Sequence, residues 1–74
     1  MSAHGLRDLL DGLVVEMVRS GITLDEGRQA FEARFIQHAL DRTDGHAGHA
    51  AQQLGIHRNT LARKIAEYGL RPKS

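Results

Sequence analysis

Residues 54–65 read Leu54-Gly55-Ile56-His57-Arg58-Asn59-Thr60-Leu61-Ala62-Arg63-Lys64-Ile65, a glycine set between apolar residues and followed by a helical pattern. Gly55 suits a turn, because it adopts backbone angles closed to other residues. Before it, Ala50, Ala51 and Leu54 share one side of a short helix predicted over about 47–54. After it, Leu61, Ile65 and Tyr68 share one side of a second helix over 57–68, with Ile56 in the turn between. A steep crossing of two such helices needs a small residue in the first, and Ala51 supplies it four positions ahead of Gly55. The spacing predicts a helix-turn-helix unit.

Outward from this unit, Gly69 stops the last helix and Pro72 blocks its continuation. On the other side, Asp44-Gly45 ends a longer helix that opens at Thr23-Leu24-Asp25-Glu26, a capping-box sequence. Its apolar residues are Leu24, Ala30, Phe31, Phe35, Ile36, Ala39 and Leu40. Ahead of Ser20-Gly21, Leu6, Leu9, Leu10, Leu13, Val14, Met17 and Val18 follow the i, i+3, i+4, i+7 rule of another helix. The expectation is an all-α fold of four helices in a single domain, 1–74. It divides into a helical hairpin over 5–44, the helix-turn-helix over 45–70 and a tail at 71–74.

The hairpin has more apolar stripe than a short helix pair covers. A chain of 74 residues buries only about 60% of its unfolded surface as a monomer. Both points favour a second copy of the chain on Leu9, Leu10, Leu13, Met17, Phe31, Phe35 and Ile36 over closure of the stripe by the chain's own two helices. The chain has no cysteine, so disulfides and thiolate metal sites are excluded. No apolar run approaches the roughly 18 residues of a membrane span, and the N-terminus lacks the pattern of a signal peptide. The expected location is the cytoplasm, at the nucleoid.

Net charge is +1, but residues 1–44 carry five arginines against eight acids, while residues 45–74 carry five basic residues against Glu67 alone. A basic back half points to a polyanion. On the 57–68 helix, Asn59, Ala62, Arg63 and Ala66 lie opposite the apolar side, with Arg58 at the leading edge and Thr60, Lys64 and Glu67 on the flanks. Long donors between small alanines have the shape to enter a DNA groove. Arg forks onto guanine and Asn onto adenine, giving Arg58, Asn59 and Arg63 base-reading chemistry. Thr60, Lys64 and the first N–H groups of the helix suit phosphates.

The stretch Gly45–Leu70, "GHAGHAAQQLGIHRNTLARKIAEYGL", resembles the DNA-binding unit of the bacterial Fis family (factor for inversion stimulation). It is closer still to the C-terminal unit of enhancer-binding activators of the nitrogen-regulator (NtrC) type. The resemblance rests on Gly45-His46, Ala50-Ala51, Leu54-Gly55, Arg58-Asn59-Thr60-Leu61, Arg63-Lys64 and Gly69. It implies DNA contacts from Arg58, Asn59 and Arg63, with Thr60 and Lys64 at the DNA backbone. It also implies a hairpin that pairs with a second copy into an interlocked, intermolecular four-helix bundle. Gly48 departs from the family, which often has a polar or charged residue there. The chain carries neither receiver nor ATPase sequences, so a stand-alone Fis-type regulator or nucleoid-associated architectural protein is expected. An excised domain of a larger activator is the alternative.

His46 and His49 stand near the start of a helix expected to approach phosphate, and His57 stands where it can touch DNA or cap the recognition helix. Imidazole chemistry would make such contacts pH-sensitive. A zinc site from His4, His38, His46, His49 and His57 lacks a completing Cys or spaced acid, so neither metal nor cofactor is expected. Serines at ends and turns, and acids expected on solvent faces, offer no catalytic set or small-molecule substrate site. A rival from another class is a helical dimer used as a protein-interaction module. Arg58–Lys64 argues against it, having neither the aromatics nor the Met expected of such a face.

Overall fold

The computed structural model describes residues 3–72, in four helices: α1 (Ala3–Arg19), α2 (Leu24–Arg42), α3 (Ala47–Leu54) and α4 (Arg58–Tyr68). Among the described residues there is no strand, as the sequence led us to expect. The helix ends fall where their chemistry dictates. Thr23 Oγ1 accepts from the Glu26 N–H at 3.1 Å, and a Glu26 carboxylate oxygen accepts from the Thr23 N–H at 3.0 Å, so the capping box is complete. α2 closes through Thr43, Asp44 and Gly45; the last two have positive φ, and the Gly45 N–H returns to the Leu40 carbonyl at 2.7 Å.

α3 and α4 end in the same way. After α3, Gly55 lies at φ +71°, its N–H donates to the Gln52 carbonyl, and the Ile56 N–H donates to that of Ala51 at 3.1 Å. After α4, Gly69 at φ +63° repeats the pair, with Leu70 N–H on the Ile65 carbonyl at 3.0 Å. This is the Schellman closure, in which two orphan carbonyls are satisfied and the next apolar residue folds back onto the helix. Ile56 and Leu70 are those residues, and both pack against the core.

The core consists of Ile36, Leu40, Ala50, Ala51 and Leu61, of which Leu40, Ala50 and Leu61 are fully buried. Ala39, Ala47, Leu54, Ile56, Ile65, Tyr68 and Leu70 close around it. α2 packs on α3 and α4, and these two pack on each other, while α1 takes almost no part. The radius of gyration, 13.9 Å, exceeds the about 11 Å of a compact chain of this length, because α1 stands away from the rest. It meets α2 near the connecting turn, where the Met17 methyl lies 3.0 Å from the position a Cβ on Gly27 would take.

The apolar stripe of α1 therefore lies open. Leu9 is 62% exposed, Leu13 51%, and on α2 Phe31 and Phe35 are 52% and 56%. Their rings pack against each other at 5.6 Å and line, with Leu13, Met17, Ala30 and Leu54, an open groove of about 610 Å³. The chain's own two helices do not close the stripe. Ile36 is an exception within the expected self-association set. At 3% exposure it is taken up by the chain's own core, since it lies on the side of α2 that meets α3 and α4.

Leu61 is the largest contribution of α4 to this core. Leu61→Ala is expected to cost about 2–5 kcal/mol, against a total of roughly 4–11 kcal/mol for 74 residues. Urea unfolding followed by circular dichroism checks it; a midpoint within error of the parent's would contradict the packing described.

Candidate nucleic-acid interface

α4 is set by its two ends and its inner side. At the start, His57 Nδ1 accepts from the Asn59 N–H at 3.0 Å, so the imidazole occupies the N-cap. The structure shows the cap expected of His57, and the ring, exposed, keeps Nε2 for a further contact. At the far end, the Arg71 N–H donates to Gln37 Oε1 at 3.2 Å, and Gln37 in turn donates to Asp41 at 3.0 Å. Between them, Leu61 and Ile65 seat the helix on the core.

A third attachment joins α4 to α2 and is invisible to the periodicity of either helix. Glu32 of α2 receives the Lys64 ammonium and the Tyr68 hydroxyl on the same oxygen, the latter at 3.0 Å. Arg28 approaches its other oxygen at 3.4 Å. The acids were expected on solvent faces, but the Glu32 side chain is only 26% exposed, because α4 lies over it. The Lys64 hydrogen bond holds the Glu32 carboxyl below the ordinary carboxylate range, with Tyr68 acting the same way and partial burial opposing both. Tyr68 is shifted upward, first by burial and then by its bond to Glu32.

The opposite side of α4 is exposed. Arg58, Asn59, Ala62, Arg63 and Ala66 all face solvent, and Thr60 is half-buried at their edge. Among the described residues, neither Arg58 nor Arg63 has an ion-pair partner, so both guanidiniums keep their donors for a ligand. Lys64, by contrast, is half-buried and engaged with Glu32. His46 and His49 are exposed at the start of α3, their rings 5.6 Å apart. His46 holds the N-cap position without a side-chain hydrogen bond. Among the described residues, no three His, Asp or Glu groups converge as a metal site, and the side chain of His4 lies outside those described.

α4 offers a helix about 16 Å long, attached along one side, with unpaired cationic forks and an amide between alanines on the other. Chemically this can donate hydrogen bonds to base edges and phosphates.

The family described as "Bacterial regulatory protein, Fis family" matches residues 28–68. Nitrogen fixation protein AnfA of Azotobacter vinelandii is 41% identical over 54 residues, 73% of this chain, which spans about a tenth of that relative's length. No solved structure matches the chain at a significant level.

The Glu32 attachment has a pH signature. A carboxyl held low in the folded state contributes stability above its usual value of 4.5, and that stability is lost as pH falls through the folded-state value. The difference in urea midpoint between the parent and Glu32→Gln is therefore expected to be largest at neutral pH and to shrink below about pH 4.5. Glu26, also held low by its capping bonds, is common to both proteins and cancels. A gap that stayed constant into acid would contradict the assignment.

Proposed function

The chain belongs to the Fis family of bacterial regulatory proteins, and from that membership we propose a homodimer that binds double-stranded DNA with α4 in the major groove and thereby regulates transcription. The observation that carries this reading is the outer face of α4. There Arg58 and Arg63 stand exposed and unpaired beside Asn59 and two alanines, on a helix capped by His57 at its start and followed by the Arg71–Gln37 bond past its end. The width of the B-DNA major groove, about 12 Å, admits such a helix. Arg58, Asn59 and Arg63 read base edges, Thr60 meets the backbone at the edge of the face, and His46, His49 and His57 meet phosphates around the start of the two helices. Location at the nucleoid follows from this reading; no helix among the described residues is long and apolar enough to cross a membrane.

Self-association has separate support. An uncovered stripe running from Leu6 to Val18 on α1, continued by Phe31 and Phe35 on α2, is the kind of apolar surface that soluble proteins keep for interfaces. A second copy seated in the groove, with Leu9, Leu10, Leu13, Phe31 and Phe35 at the seam and Met17 and Ile36 behind it, gives a four-helix bundle. The bundle would hold two copies of α4 at a fixed spacing, the geometry with which symmetric dimers read paired half-sites.

Light scattering at micromolar concentration is expected to give twice the chain mass, with Leu13→Asp shifting the protein to a monomer or unfolding it. A parent that stayed monomeric at high concentration would remove the dimer. For DNA, log affinity should fall linearly with log salt, by roughly 0.9 per phosphate contacted. Arg58→Ala should lose about 1–3 kcal/mol on a preferred site and less on random duplex. Equal losses on both would make the protein an architectural binder that reads DNA shape. Binding that ignored salt would favour a protein partner instead.

A further inference from the structure

We propose that Lys64 is a tether and not a phosphate contact, and that Glu32 is a positioning residue that sets the rotation of the recognition helix while withholding one cation from the DNA-facing set. The proposal rests on the DNA-binding reading above. Its observations lie on the other side of α4. Lys64 and Tyr68 are one turn apart on the side that faces α2, and both donate to the same Glu32 oxygen. Arg28 supports the second oxygen, and Arg28 is itself oriented by Asp25 at 2.8 Å. The Lys64 and Glu32 side chains are 25% and 26% exposed, whereas those of Arg28 and Asp25 are 55% and 66%. The tether is thus the shielded end of a short charged chain that begins in solvent.

Two donors one helical turn apart, meeting one acceptor on another helix, resist rotation of α4 about its own axis. At a helix radius of roughly 5–6 Å, a turn of 30° moves the outer rim by about 3 Å, the length of a hydrogen bond. Rotation of that size would carry Arg58, Asn59 and Arg63 off their base edges but leave general attraction to phosphates intact. Glu32 therefore acts on sequence preference. By neutralising Lys64, it also keeps a flexible, sequence-blind ammonium from adding to non-specific affinity.

Equilibrium binding to a preferred site and to random duplex, over a salt series, separates the roles in the full chain. Lys64→Met is expected to leave the salt slope unchanged. Glu32→Gln releases Lys64, so the slope should steepen by about 0.9 per recognition helix, and random-duplex affinity at 0.1 M salt should rise roughly eightfold for each such contact. The ratio of preferred to random affinity should fall. The double variant should return to the Lys64→Met slope, and Glu16→Gln, which removes an equal charge from α1, should not change it. If Lys64→Met lowers the slope by about 0.9 while Glu32→Gln leaves it alone, Lys64 leaves Glu32 for DNA and the tether is overturned. A similar rise from Glu16→Gln would also overturn it, since net charge alone would then account for the effect. Should Lys64→Met fail to fold, Glu32→Gln decides together with a Glu32→Gln, Arg28→Met double variant, since Glu32 also holds Arg28: a steeper slope that persists in the double variant comes from Lys64, and one that vanishes with Arg28 overturns the tether. A parent that does not bind duplex at all overturns the DNA reading and the tether together, an outcome visible before any variant is made.

Discussion

The close crossing of α3 and α4, with Leu61 buried against Ala50, Ala51 and the α2 residues Ile36 and Leu40, is the contact on which the rest depends. Small side chains at 50 and 51 let the helices approach, and the left-handed turn at Gly55 reverses the chain within a few residues. Without that approach Leu61 would have no pocket, and α4 would have no fixed orientation to present its polar side. The core so formed is small and contains two alanines, so its hydrophobic contribution is modest. Polar attachments to Glu32 and Gln37 add to this seating, though each is partly solvated and individually weak.

How far the chain could be read in advance varies with the range of the cause. Helix ends depend on residues a few positions apart, and the Thr23–Glu26 box, Asp44-Gly45, Gly55 and Gly69 place them within a residue or two. The inward side of α4 was legible for the same reason, since Leu61, Ile65 and Tyr68 recur at helical spacing. Periodicity shows that a stripe exists, however, and not what covers it. Ile36 shares the stripe of α2 with Phe31 and Phe35, yet it turns into the core while the two rings stay open. Their angular offset on α2 decides this, together with where α3 and α4 come to rest. The role of Glu32 is not legible in the sequence of α2, because its partners on α4 lie 32 and 36 residues away. His57 was ambiguous in sequence, cap or ligand, since both roles need a polar ring at one position.

α1 shows where single-chain physics stops. A 17-residue helix held to the rest of the chain near its last turn gains little from tertiary packing, and helices of this length are marginal alone in water. Its apolar side is nevertheless laid out as cleanly as that of a buried helix. The order of α1 and the covering of its stripe are thus one problem, and in the proposed dimer the stability of α1 would depend on protein concentration.

The cap on α4 also fixes something finer than a helix end. An imidazole nitrogen that accepts the Asn59 N–H carries no proton, so in the neutral ring the proton sits on the other nitrogen. His57 is thereby committed to a single tautomer, with Nε2–H as its remaining polar group on an exposed ring. The leading edge of α4 is then made of donors at successive positions: the His57 ring, the Arg58 guanidinium and the Asn59 amide. An acceptor lying across that edge, such as an oxyanion, meets matching groups along its length, whereas a donor meets only the Asn59 carbonyl oxygen.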